Sequence, residues 1–140
     1  MRGESKGGLP LSGGSRWGGI GIDLVEIARL ERAWCRYGSR FLGRVYTAAE
    51  QSYCLSKGRP AASLAARFAA KEAVMKALGL GLGGVRWRDI EILPDAAGRP
   101  TLRLLGAAQG RAAELGICSW HLSLAHGRDY AVAVVLAERG

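Results

Sequence analysis

A chain of 140 residues, 49% hydrophobic and 23% charged, is sized for one domain with its own core and has the composition of neither a disordered nor a fibrous protein. Its 20 basic and 12 acidic residues leave a formal charge of +8, which favours phosphate-bearing or acidic partners without choosing between them. Cys35, Cys54 and Cys118 are odd in number and show no CxxC spacing, which argues against a disulfide framework and a structural zinc site, and no apolar run approaches the roughly 18 residues of a membrane span.

The three cysteines therefore read as buried thiols in a reducing cytoplasm, and the protein as cytoplasmic. Residues 1–16 are rich in Gly and Ser and carry no apolar signal core. They read as a flexible, dispensable extension ahead of a single domain at 17–140. Trp17 to Ile22 alternates small and large residues as a short strand does, and Asp23 is placed as the cap of a helix over Leu24 to Tyr37. On that helix Arg29, Arg32 and Arg36 share one narrow arc, while Leu24, Ile27, Leu30 and Trp34 can pack inward. The arginine stripe is either a solvated face or a docking face for an acidic partner.

Thr47 and Glu50 have the spacing of a capping box, so a short helix is expected to about Ser56. Pro60 suits the first turn of a longer helix that ends at Leu78, with Gly79 as its C-terminal cap. Gly79, Gly81, Gly83 and Gly84 mark a loop. Strands follow near Trp87 to Leu93 and Thr101 to Leu105, then a helix from Ala107 to Leu115, then strands Ile117 to Leu124 and Tyr130 to Leu136. The fold class is α+β, a single domain with an antiparallel sheet and a long buried central helix.

The central helix is the most informative segment. Leu64, Phe68, Met75 and Leu78 occupy one face, and Ala66, Ala69, Ala70, Ala73 and Ala77 the other, so it is apolar on both sides and should be buried. Yet it carries Arg67, Lys71, Glu72 and Lys76, and buried charges must be paired or bound to something. Lys71 snorkels and Glu72 pairs with a nearby arginine, or the helix borders a polar site in which Arg67, Lys71 and Lys76 hold phosphates and Glu72 holds a metal. Magnesium needs only one or two protein carboxylates, and Asp23 is the second candidate. His126 lies at a hairpin mouth, where a lone histidine is usually without special function. His121 is given no role.

Four segments together resemble the holo-acyl-carrier-protein synthase family of 4′-phosphopantetheinyl transferases. They are Gly19-Ile20-Gly21-Ile22-Asp23-Leu24-Val25-Glu26-Ile27 with Arg29, Arg44-Val45-Tyr46-Thr47 with Glu50, Arg67 through Gly79, and His121 through His126 continuing into Tyr130-Ala131-Val132-Ala133. Ala125 departs from the Ser or Thr common at its position in that family. The resemblance implies transfer of 4′-phosphopantetheine from coenzyme A to a serine of apo acyl carrier protein, giving holo acyl carrier protein and adenosine 3′,5′-bisphosphate. It implies Mg²⁺ on Asp23 and Glu72, with Glu72, Asp23 and Lys76 catalytic and a carboxylate or metal-bound water as base. Arg67, Lys71, Lys76, Ser123 and His126 are the expected coenzyme A contacts, and Arg29, Arg32 and Arg36 the carrier-protein contacts.

The family also implies a homotrimer with sites at subunit interfaces. The alanine face and the strand residues Val132, Val134 and Leu136 supply apolar surface for such an assembly. Fatty-acid synthesis is the default pathway, with polyketide carriers the alternative. A basic nucleic-acid module is a rival reading, but aromatic residues make up only 7% of the chain, so neither nucleic acid nor a membrane is the expected partner. A non-catalytic scaffold for acidic carriers is the other rival, and it leaves Asp23 and Glu72 without a purpose.

Overall fold

A computed structural model describes residues 16–81 and 84–140. The expected N-terminal extension, apart from Arg16, lies outside the described residues, as does Gly83 of the glycine loop. The described elements run β1 (Trp17–Glu26), α1 (Ile27–Tyr37), α2 (Ser39–Val45), α3 (Ala48–Leu55), α4 (Pro60–Ala77), a 3₁₀ turn (Trp87–Asp89), β2 (Ile90–Pro94), β3 (Pro100–Leu104), α5 (Gly106–Glu114), β4 (Ile117–His126) and β5 (Tyr130–Arg139). Strands β1, β5 and β4 form an antiparallel sheet in that order, and β2 pairs with β3 in a second antiparallel sheet. No helix among the described residues is long and apolar enough to cross a membrane.

Helix α4 is the axis of the molecule, as the sequence leads one to expect. Pro60 opens it, Gly79 follows it at φ 71°, and both of its apolar faces are buried. Its C-terminal half packs with β5, β2 and α5, and its N-terminal half packs with α1, α2 and α3. The alanine face is therefore covered within one chain, against the sheet, and is not a surface for assembly.

The sheet comes unusually close to this helix because β1 is glycine at two inward positions. A Cβ at Gly19 would stand 2.2 Å from the Ala77 carbonyl oxygen, and one at Gly21 only 1.9 Å from that of Ala73. Both distances are far inside van der Waals contact. Gly21→Ala must push the helix off the strand, and a loss of about 1–3 kcal/mol is expected from overpacking alone. Urea unfolding of the variant measures it, and an unchanged midpoint would show that the close approach is not needed.

Three expectations are corrected. Strand β1 continues past Asp23 to Glu26, because the inward and outward alternation persists and pairing with β5 runs to Glu26 opposite Tyr130. Asp23 is thus a strand residue, not a helix cap, and Leu24 is exposed on the sheet rather than packed under a helix. Second, only Cys54 is buried, whereas Cys35 on α1 and Cys118 on the edge strand β4 are exposed. Third, Gly38 at φ 58° ends α1, and the chain immediately starts the short helix α2, for which the sequence reading had no assignment.

The outer face of the larger sheet stays uncovered in the single chain. Ile20, Ile22 and Val134 are 39%, 57% and 38% exposed, and Leu24 is 62% exposed. Across that face Ile22 pairs with Val134, which pairs in turn with Ser123.

Candidate active site

The close contact of β1 with α4 puts the chemistry of the strand beside that of the helix. Asp23 follows Gly19 and Gly21 on the same strand face, two residues on each time. Glu72 and Lys76 lie one turn apart on α4, beside the Ala73 and Ala77 carbonyls that the glycines admit. Lys76 donates from Nζ to Asp23 Oδ1 at 3.0 Å and to the Ile22 carbonyl at 2.9 Å, bridging strand and helix.

The second carboxylate oxygen of Asp23, Oδ2, is buried and has no hydrogen-bond partner. Such an atom is costly to leave unmatched. Glu72 lies beside it. Burial, and then the charge of Asp23, push the Glu72 carboxyl up to about 7, while Lys76 and Arg29 pull the other way. Two carboxylates crowded together, one with a free oxygen, fit a hard divalent cation. No third His, Cys, Asp or Glu joins them among the described residues, so phosphate and water oxygens would complete a Mg²⁺ shell.

Asp23, Glu26, Glu72 and Arg29 line a cleft of about 610 Å³. The rest of its wall is mainly apolar: Leu30 and Ala33 from α1, Phe41 from α2, Phe68 from α4, and Trp87. Phe68 and Trp87 stack at 4.8 Å with their planes 20° apart. Tyr130, at the start of β5, also borders the cleft.

Not every residue expected at the site is there. Lys71 is corrected: it is fully buried, and its Nζ bonds to Glu50 Oε1 at 2.7 Å, to the Trp87 carbonyl at 3.0 Å and to the Ile90 carbonyl. A side chain so enclosed offers nothing to a phosphate. Arg67 is also buried, over the Tyr53 ring and 3.4 Å from Ser63 Oγ, and does not line the cleft. Ser123 sits on the outer sheet face, opposite to that of Asp23, and His126 is exposed at the end of β4. His121 contacts Glu138 at 2.8 Å. Arg29, Arg32 and Arg36 are all exposed on α1; Arg32 lies 3.6 Å from Glu26, and Arg36 lies over the Tyr37 ring.

The sequence reading passed over Glu50, which it treated only as a capping residue. Glu50 does close that box with Thr47, but its Oε1 also holds Lys71 and its Oε2 accepts the Ile92 amide at 2.7 Å. Phe41 and Trp87 were also passed over as cleft residues. Arg59 ties the start of α4 to the β4–β5 hairpin, donating at 2.9 Å to the carbonyls of both Gly127 and Arg128.

Crowded carboxylates with a lysine and an arginine, beside a largely apolar cleft wall, suit an enzyme whose substrate joins a phosphate group to a long uncharged arm. The family model of the 4′-phosphopantetheinyl transferase superfamily matches residues 19–135. The holo-[acyl-carrier-protein] synthase of Moorella thermoacetica is 56% identical over 84% of this chain and 91% of its own length, and that of Koribacter versatilis is 50% identical over 86% and 97%. Among solved structures, the Neisseria meningitidis holo-[acyl-carrier-protein] synthase superposes with a TM-score of 0.78 at 39% identity, over 86% of this chain and 97% of that one. The Helicobacter pylori enzyme in complex with coenzyme A gives 0.75 at 34% identity, over 85% and 99%. The chain belongs to the 4′-phosphopantetheinyl transferase superfamily and, within it, to the holo-[acyl-carrier-protein] synthases.

Proposed function

We propose that this protein transfers 4′-phosphopantetheine from coenzyme A to the serine hydroxyl of apo acyl carrier protein, releasing adenosine 3′,5′-bisphosphate. The observation that carries this reading is that Asp23 and Glu72, with Lys76 bonded to Asp23, border a largely apolar cleft. The serine Oγ attacks the phosphorus that bears the pantetheine, and the bond from that phosphorus to the bridging oxygen breaks.

Asp23 and Glu72 would hold Mg²⁺, which when bound supplies positive charge to the pyrophosphate. Lys76, already fixed beside Asp23, adds a cation for the phosphate oxygens. A carboxylate of this group, or a water beside it, would take up the serine proton. The neutral pantetheine arm fits the apolar wall of Leu30, Phe41, Phe68 and Trp87. The Helicobacter pylori relative holds coenzyme A, which supports the choice of donor. Incubation with coenzyme A, Mg²⁺ and apo carrier protein, read by intact mass, tests the activity, and a carrier that gains no phosphopantetheine would refute it.

Arg29, Arg32 and Arg36 form the docking face for the acidic carrier, with Arg29 reaching the cleft itself. Arg36→Glu is the clean probe, since Arg36 does not line the cleft. It should raise the Michaelis constant for carrier protein severalfold, as the loss and reversal of exposed pairs worth roughly 0.2–1 kcal/mol each implies. The constant for coenzyme A should stay unchanged, and added salt should weaken the wild type more than the variant. Equal change in both constants would remove the docking role.

The uncovered sheet face supports a trimer. Ile20, Ile22, Leu24 and Val134 make an apolar row that a soluble chain would be expected to cover. Ser123 lies in the same row and would face a neighbouring subunit's coenzyme A site, whereas His126, opposite Ala131 and through it Val25, is on the sheet face of Asp23 and would serve the site of its own chain. Light scattering of the wild type should give three chains, and Ile22→Asp should give one; a monomeric wild type would sink the assembly. The cytoplasm and fatty-acid synthesis are the setting that fits this activity.

A further inference from the structure

Lys71 and Glu50 form an ion pair in which both side chains are fully buried. Such a pair is weak support for a core, because apolar residues of similar volume often hold it as well or better. The remaining hydrogen bonds of the lysine point to another purpose. Its Nζ also donates to the Trp87 carbonyl at 3.0 Å and to the Ile90 carbonyl, so it grips the 3₁₀ turn Trp87–Asp89 at its first residue and just past its last. Glu50 Oε2 accepts the Ile92 amide at 2.7 Å and holds the strand that leaves this turn.

Of the residues in that turn, Trp87 alone lines the cleft of Asp23 and Glu72. Its ring stacks on Phe68, which lies three residues before Lys71 and four before Glu72 on α4. Residues at these spacings are neighbours on a helix surface. Helix α4 thus holds Trp87 at two points, the ring through Phe68 and the backbone through Lys71, on the same stretch that presents Glu72. We propose that Lys71, kept charged by Glu50, is a positioning residue for transfer: it fixes Trp87 as part of the wall of the active-site cleft. This rests on the transfer activity proposed above. Neither Lys71 nor Glu50 is exposed to touch a substrate. An apolar side chain at position 71 could fill the same space, but it offers no donor to the two carbonyls, and the turn would lose its hold on α4 at that point.

A double-mutant cycle separates positioning from support of the core. Trp87→Ala should lower kcat/KM for transfer roughly tenfold, the size of effect that loss of a tryptophan contact has at a binding surface. Carrier protein and coenzyme A are varied in turn. Lys71→Met with Glu50→Leu removes both buried charges and should lower kcat/KM by a similar factor, while still unfolding cooperatively in urea. Adding Trp87→Ala to that pair should cost less than about a further twofold, because the ring has already lost its place, whereas independent effects would multiply to roughly a hundredfold. Mg²⁺ should still raise the melting temperature of the paired variant, since Asp23 and Glu72 are untouched. The same cycle on Lys71→Met alone, run in the cold, serves if the paired variant does not fold. Effects that multiply would overturn the proposal, and so would a Mg²⁺ response lost together with activity, which would place the damage at Glu72. Unchanged transfer in Trp87→Ala would overturn it on its own. A wild type that transfers nothing would instead sink the underlying activity.

Discussion

Glu72→Gln should abolish transfer and, at pH 8 without divalent cation, make the protein more stable. The loss of activity follows from removing a carboxylate at the head of the cleft, and a fall on the order of 10²–10³-fold is expected for an electrostatic group of this kind. The gain in stability follows from the carboxyl being pushed up to about 7 by burial and by Asp23. Between the ordinary glutamate value and about 7, the unfolded chain has lost this proton while the folded chain still holds it, so native stability falls as pH rises through that window. Above it the wild type carries two carboxylates crowded together, and the variant carries one.

Screening at a half-exposed side chain limits the difference to about 1 kcal/mol, which is ~3–5 °C in melting temperature for a chain of this length. At pH 4 the two proteins should melt together. Mg²⁺ should raise the melting point of the wild type and leave that of the variant in place, as mass action on a native-state site requires. A variant less stable than wild type at pH 8, or equal responses to Mg²⁺, would show that the pair is not a cation site.

Lys71→Met should have the largest effect on folding. It strands the Glu50 carboxylate in the interior, where its Oε1 is left with only the Thr47 amide at 2.9 Å and its Oε2 keeps the Ile92 amide. Burial alone already presses the Lys71 ammonium toward its neutral form, and Glu50 is the main group opposing this. Breaking such a pair from one side costs about 3–5 kcal/mol, a large part of the roughly 5–15 kcal/mol that holds a domain together. Lys71→Met with Glu50→Leu should recover some of the loss, although the double variant still gives up the capping box and the Ile92 bond. Urea titration should show a lower midpoint with an unchanged slope for the single variant. If that midpoint stays within error of the wild type, the pair is not a structural anchor.

These two residues, adjacent on α4, mark how far the sequence could be read. The helix itself was legible because its periodicity, Pro60 and Gly79 all act locally, and the Thr47–Glu50 box was legible for the same reason. Glu72 was singled out from charge in an apolar context, Asp23 from its place at the end of a strand, Arg29 from the arginine stripe and all three from the family motifs, and the fold brings them to one cleft. Lys71 also stood out as a charge in an apolar sector. Its partner, 21 residues upstream, was hidden because nothing in a helical repeat records which distant acid will face it. The end of β1 was misplaced because an acid after a strand is an ordinary helix cap, whereas pairing with β5 carries the strand three residues further.

The glycine contacts of β1 have a consequence for ligand capture. Because Gly19 and Gly21 seat the strand directly on the Ala73 and Ala77 carbonyls, Asp23 and Glu72 occupy elements with no layer of side chains between them to yield. Most of the entropy lost in bringing the two carboxylates together is surrendered once, when the chain folds, rather than at each encounter with substrate. Above about pH 7, where both are charged, their repulsion is relieved by the cation that binds between them.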